Sequence, residues 1–231
     1  MRYAEVREQL DKEDTPVDLP EASCKYRLLL RKDDRARFVS HLEYITVLTR
    51  AARRAKLPLR FSGGFHPQPK LSFSDALPTG VASDVEIIDI ELSRQYEPAD
   101  LATILNRQLP DGFFVLTCEQ LYWKTPSPSA SIESLVYSVP IAAVPSKLAT
   151  RIQTFLKSAS VPFTRRKKNR GIEVDLRPDV MNIEINGQHL ELTLKKGSPF
   201  GVIAWLLEID EAEARQLEIR KTAVKLLGED N

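Results

Sequence analysis

Ser40–Gly80, SHLEYITVLTRAARRAKLPLRFSGGFHPQPKLSFSDALPTG, is the stretch on which the fold turns. Ser40 and Glu43 form an S-x-x-E capping box, and Leu42, Ile45, Leu48, Thr49 and Ala52 recur at helical spacing. This pattern predicts an amphipathic helix that starts after Ser40 and is stopped by Pro58. Leu59–Ser62 and Lys70–Ser74 read as extended chain, and the GGFHPQP between them cannot be helical. The stretch is also charged in one sense. Between Tyr44 and Ser74 there is no Asp or Glu, while Arg50, Arg53, Arg54, Lys56, Arg60 and Lys70 all fall inside. In a chain of net charge +1, such clustering makes a local anion-facing surface rather than a global field.

Working outward, Lys25–Lys32 reads as a strand whose Leu-Leu-Leu centre predicts burial on both faces, broken by Asp33, Asp34 and Arg35. Val85–Leu92 alternates as a strand does, and Pro98 opens a helix reaching Leu109. Pro110-Asp111-Gly112 turns the chain into a further strand, Phe113–Tyr122. The order strand, helix, strand, strand, helix, strand is that of a ferredoxin-like βαββαβ unit, an antiparallel sheet with both helices on one face.

Lys124–Ser131, KTPSPSAS, reads as a Pro/Ser-rich linker, after which the pattern restarts. Strands are expected at Leu135–Ile141, Phe163–Arg166, Ile172–Leu176, Val180–Ile185, His189–Leu194 and Glu218–Leu226. Helices are expected at Pro145–Lys157 and from Pro199 onward. The expected class is therefore α+β, with two ferredoxin-like units, the second carrying extra strands. The divisions are an acidic leader over 1–22, a first domain over 23–123, the linker over 124–131 and a second domain over 132–228.

Composition narrows the function classes. Hydrophobic content of 42% with 28% charged residues is ordinary for a globular chain, and no apolar run approaches the length of a membrane span. The N-terminal residues lack the apolar core of a signal peptide, so a cytoplasmic location is expected. Cys24 and Cys118 are too few for a disulfide framework, and reduced thiols on neighbouring strands are expected. No P-loop, dinucleotide fingerprint, nucleophile elbow or paired zinc motif occurs, and Asp75, Asp84, Glu86 and Asp89 have no metal-site spacing. Neither a metal nor a cofactor is expected.

What remains is a surface for polyanions. Arg50 and Arg54 stand one helical turn apart, the spacing for clamping neighbouring phosphates. Phe61, Phe65 and Phe73 interleave with the cations, the mixture used for stacking on unpaired bases. His66 sits on a loop shaped by Gly63, Gly64, Pro67 and Pro69, while His41 occupies the first helical position. A second basic cluster, Arg165, Arg166, Lys167, Lys168 and Arg170, falls in a hairpin tip. The nucleic-acid-binding set is thus Arg50, Arg53, Arg54, Arg60, Phe65, His66, Lys70, Phe73 and this second cluster. If the chain is an enzyme, His41 and His66 are the general-base candidates of a metal-independent ribonuclease. A module that docks an acidic protein on the basic window is the remaining alternative.

The block RFVSHLEYITVLTRAARRAKLPLRFSGGFHPQPKLSFSDALPTGVASDVEIIDIEL resembles a bacterial radical-SAM-associated family, with weaker echoes at Glu173–Pro178 and Glu218–Leu226. The resemblance implies association with enzymes that cleave S-adenosylmethionine at a cysteine-held iron–sulfur cluster. Two isolated cysteines cannot hold such a cluster, so the expected role is in trans. Taken together with the acid-free basic window, the resemblance makes the expected role that of a non-catalytic module that binds RNA, or presents a substrate, beside a radical SAM partner acting on RNA. The oligomeric state is not legible.

Overall fold

A computed structural model of the chain describes residues 23–63, 65–141, 146–167 and 170–228. The acidic leader and Lys168 lie outside the described residues.

The first half begins with β1 (Cys24–Lys32), in which alternate side chains are buried from Cys24 to Lys32. Its Leu-Leu-Leu centre is less symmetric than expected: Leu28 and Leu30 are buried on one face, and Leu29 is half-buried on the other. A 3₁₀ turn (Asp34–Phe38) leads to α1 (His41–Arg54). The capping box of α1 forms as predicted, with Glu43 N–H donating to Ser40 Oγ (3.4 Å) and Ser40 N–H donating to Glu43 Oε2 (2.8 Å). The buried stripe of α1 is Tyr44, Leu48, Ala51 and Ala52, and Leu42 is 76% exposed rather than part of it. The reason is angular, because two residues on a helix turn about 200° and Leu42 is thereby opposite Tyr44.

Next come β2 (Leu71–Phe73), β3 (Ala82–Leu92), α2 (Pro98–Asn106) and β4 (Phe113–Leu121). A short helix, α3 (Pro128–Ser131), precedes the second half. That half contains β5 (Ile132–Pro140), α4 (Leu148–Lys157), β6 (Pro162–Lys167) and β7 (Arg170–Asp175). It continues through β8 (Val180–Asn186), β9 (His189–Leu194), α5 (Phe200–Leu207), α6 (Glu211–Ala214) and β10 (Arg220–Leu226).

One mixed sheet runs through both halves in the order β4-β1-β3-β10-β5-β9-β8, with β2 also paired to β3. The pairings are antiparallel except where β10 meets β3, at Arg220↔Ala82 and Lys221↔Ser83. The first half therefore runs β4-β1-β3-β2, and the second runs β10-β5-β9-β8. Counting β5, β8, β9 and β10 as first to fourth, the two orders are identical. β6 and β7 stand apart as a two-stranded ribbon.

Two apolar clusters fill the space between sheet and helices. Tyr26, Leu28, Leu30, Ile88 and Ile90 pack with Leu48 of α1 and Leu101 and Leu105 of α2. Tyr137, Leu190 and Leu192 pack with Ile152 and Phe155 of α4 and Phe200 and Ile203 of α5. The second cluster also takes Leu77 and Val81, so the segment between β2 and β3 belongs to the core of the other half. The molecule is a mixed α/β structure with a large, mostly antiparallel sheet. No described helix is long and apolar enough to cross a membrane.

The Pro/Ser segment is pinned. Lys25 Nζ donates to Thr125 O and Arg27 donates to Pro126 O, both at 2.9 Å, and Pro128 is buried. Beneath it Asp89, 2% exposed, is paired with Lys25 (3.0 Å) and Arg27 (2.8 Å). Cys24 pairs with Leu92 and Cys118 with Leu28, so the two free thiols sit on neighbouring strands. Four residues of strand, about 13 Å, separate their levels.

Candidate nucleic-acid interface

Strand register places the basic window. β1 begins opposite Leu92 and ends opposite Ser83, and α1 then runs back along the sheet. Its C-terminal end reaches the Leu92 end of β3, where Pro58 O accepts from Ser93 N–H and Arg60 N–H donates to Glu91 O (both 2.9 Å). From there the chain projects as an arm. Leu59 bridges to Leu92, Phe61 bridges to Pro69, and Lys70 N–H donates to Arg60 O (2.8 Å). Ser62 N–H donates to Gln68 O (2.8 Å), which closes the arm around the Gly/Pro/His turn. The prolines that forbid a helix here also leave few backbone donors, so the arm is a narrow loop rather than a true hairpin.

Phe65 stands at the turn with 102% exposure, His66 beside it is exposed, and Phe61 is 43% exposed. Such exposure of an aromatic side chain has no role in packing. Arg50, Arg53 and Lys56 are exposed along the end of α1, with no carboxylate within 4.0 Å among the described residues. The other cations are partly engaged. Arg54 donates to Gln108 O just past α2, and Lys70 pairs with Glu91 at 3.2 Å. Arg60 is half-buried. Arg50, Arg53, Arg54, Arg60, Phe65, His66 and Lys70 are thus gathered at one end of the first half.

Phe73 and His41 belong elsewhere. The His41 ring meets Phe73 edge-on with centroids 5.3 Å apart, and Phe73 meets Tyr44 at 5.8 Å. Phe73 pairs with Ile88, toward the opposite end of α1 from the arm. It is half-buried against the first apolar cluster, so its periodicity signal is that of a packing residue. His41 and His66 therefore do not converge on one cleft.

The second basic cluster lies on the β6–β7 ribbon, where Lys167 pairs with Arg170 in register. Arg165 meets Glu211 of α6 at 3.6 Å, and Phe163 lies against Gly201 of α5. The side chains of Arg166, Lys167 and Arg170 are outside the described set, as is Lys168. Both basic insertions fall between the first helix and the second strand of their half: Leu59–Lys70 between α1 and β2, the ribbon between α4 and β8.

Two polar features escaped the sequence reading. At the Ser83 end of the junction, a cavity of about 930 Å³ is lined by Asp33, Arg35, Arg37, Phe38, His189 and Arg220, among others. Arg220 crosses the junction, donating to Asp33 Oδ1 and to Asp84 Oδ1 (both 2.8 Å). Its hydrogen bond holds the Asp33 carboxyl below the usual carboxylate range. Nearby, Lys32, Glu86 and Lys221 are buried together in the apolar layer. Burial lowers the pKa of Lys32, whose ammonium donates to Val39 O at 2.6 Å. Nothing in the spacing of these residues announces a cluster, since they come from β1, β3 and β10.

Residues 25–203 match the model of a family described as an uncharacterized protein conserved in bacteria (DUF2344). The chain belongs to that family. The DUF2344 match spans the arm, α1 and most of the second half. No curated protein matches the chain. Among solved structures it is similar to a chain of the crystal structure of a Cbf5-Nop10-Gar1 complex, at 13% identity and a TM-score of 0.42. That similarity covers 92% of this chain and 52% of the other, so the DUF2344 chain spans about half of its length. A likeness at this TM-score says nothing about function.

Proposed function

We propose that the chain is a non-catalytic module that binds single-stranded RNA at the arm and the C-terminal end of α1. The observation that carries this reading is the fully exposed Phe65 on the arm that follows α1, together with exposed Arg50, Arg53 and Lys56 at the end of α1, which have no carboxylate within 4.0 Å among the described residues. Unpartnered cations attract phosphates, and an aromatic face in water offers a platform for an unpaired base. In this reading each half is a ferredoxin-like unit, supported by the repeated strand order. The resemblance to radical-SAM-associated proteins adds a radical SAM enzyme as a partner in trans, to which the bound RNA is presented.

The test is fluorescence anisotropy with a labelled single-stranded RNA at low salt. Arg50→Glu with Arg53→Glu is the informative variant, because Arg54 also ties α1 to Gln108. Binding should weaken about tenfold or more, and the salt dependence should become shallower as phosphate contacts are lost. If the unmodified protein shows no affinity for RNA at low salt, the reading is wrong.

A further inference from the structure

The end of the sheet that carries the arm holds a second exposed aromatic, Trp123, at its other edge. β4 finishes at Leu121 opposite Lys25, next to the start of β1 and level with the end of β3. Trp123 follows, 47% exposed, with Lys124 Nζ 5.0 Å from its ring centroid and the Tyr122 ring 5.7 Å away. The chain that follows it is held in place, because Lys25 and Arg27 donate to the carbonyls two and three residues on, those of Thr125 and Pro126. A cation over an indole ring is the arrangement that favours an anion and a stacked base together.

The space between Trp123 and the arm is bridged by the loop after β3. Ser93 N–H donates to Pro58 O at the foot of the arm (2.9 Å), and Gln95 donates to Gln120 near the end of β4 (3.3 Å). Between these two anchors Arg94 lies over the Tyr96 ring at 4.9 Å and donates to its hydroxyl at 2.7 Å. Tyr96 in turn is fixed by Tyr26, whose hydroxyl accepts from Tyr96 N–H at 2.7 Å. Two cation-backed aromatics, Tyr96 under Arg94 and Trp123 under Lys124, thus lie between the foot of the arm and the β4 edge, and from the arm beside β3 across β1 to β4 is three strand spacings, about 14 Å. That span is not free of acid: Glu97 and Glu119 are exposed along it, and Glu91 is paired with Lys70.

We infer that Trp123 with Lys124 is a second base-stacking station, so that one unpaired nucleic-acid strand crosses the sheet end from Phe65 to Trp123. This rests on the proposed RNA-binding role of the arm. It adds a polarity-independent track length, and it assigns Trp123, Lys124 and Arg94 to the interface.

Trp205 is the other tryptophan, half-buried against Phe155 and Arg151, so Trp205→Phe leaves Trp123 as the sole tryptophan, read by excitation at a wavelength that tyrosine does not absorb. Titrating this variant with an RNA of about ten nucleotides should quench its emission, with the affinity that anisotropy reports. Trp123→Ala should weaken binding of that RNA about tenfold, and Trp123→Phe should recover most of the loss. Circular dichroism and melting of both variants check that the fold is kept. If RNA binds and Arg50→Glu/Arg53→Glu abolishes binding, yet Trp123 neither quenches nor matters, the second station is wrong and the arm reading stands. If the unmodified protein binds no RNA, both fall together.

Discussion

Lys221 Nζ lies 2.5 Å from Glu86 Oε1, with both side chains under 5% exposed (2% and 4%). The contact is ionic, and its angles are not those of a hydrogen bond. Lys221 reaches it from the final strand and Glu86 from β3, so the pair spans the two-residue seam where the halves join. Lys32, also buried, contributes a second positive charge to the same region. Taking charges out of water is costly, and the attraction between them is what offsets it.

Glu86→Gln should therefore be among the most damaging substitutions in the molecule. It leaves the buried Lys221 ammonium without its partner and removes one of the carboxylates that act on Lys32, and loss of one partner of a buried pair costs about 3–5 kcal/mol. Urea unfolding should show the loss as a lower midpoint. Replacing both partners, Glu86→Met with Lys221→Met, should recover part of it, because Lys221 is then no longer stranded and Lys32 keeps its hydrogen bond to Val39 O. A Glu86→Gln protein within about 1 kcal/mol of the parent would contradict this account.

Tyr44→Phe should behave in the opposite way. The Tyr44 ring stacks on Phe113 with centroids 5.2 Å apart and is buried, but its hydroxyl has no hydrogen-bond partner among the described residues. An unsatisfied buried hydroxyl costs about 1–3 kcal/mol, so its removal should leave stability unchanged or raised. A thermal melt that falls by more than a few degrees would mean that the hydroxyl has a bound partner.

These two residues show where sequence reading succeeds and where it stops. Leu48 and Ala52 recur at helical spacing behind the Ser40–Glu43 cap, so α1 was legible from Ser40 onward, whereas the burial of Tyr44 was not. The arm was legible from its prolines and glycines, and its cations from the absence of acids. The seam was not, because Lys32, Glu86 and Lys221 are separated in the chain and only the β3–β10 pairing brings them together. Phe65 and Phe73 looked alike as aromatics among cations, but only strand pairing shows that Phe73 packs inward while Phe65 faces water. Trp123 escaped notice because a lone tryptophan beside a Pro/Ser run carries no pattern.

Acid should weaken the junction through Asp33. Its folded pKa is lowered, first by the hydrogen bond from Arg220 and further by Asp34 N–H. A carboxylate with a lowered folded pKa contributes stability that is fully present above its unfolded value, about 3.9. That contribution is lost as the pH falls from there through the folded value. The parent should accordingly lose stability below about pH 4 more steeply than Asp33→Asn, which lacks the titrating group. Glu43 and Asp175 are lowered too, so the variant should retain part of the acid dependence. Equal slopes for parent and variant in denaturant melts across this range would remove Asp33 from the explanation.

Gly112→Ala should destabilise the same corner by a different route. Gly112 has φ +86°, and a Cβ there would lie 2.7 Å from Asp33 O and 2.8 Å from Ala36 Cβ. The left-handed backbone alone disfavours alanine, and the clash is with backbone and a buried methyl group, neither of which has room to yield. Gly112 O also accepts from Asp33 N–H at 2.8 Å, so moving the turn to relieve the clash displaces the residue that holds Arg220. The expected loss is about 2 kcal/mol or more, seen as a lower melting temperature. Any RNA affinity of the kind proposed for the arm should be unchanged while the protein is folded, because the arm is anchored to β3 at Glu91 and Leu92 rather than to this corner. A Gly112→Ala protein as stable as the parent would show that the turn can move without cost.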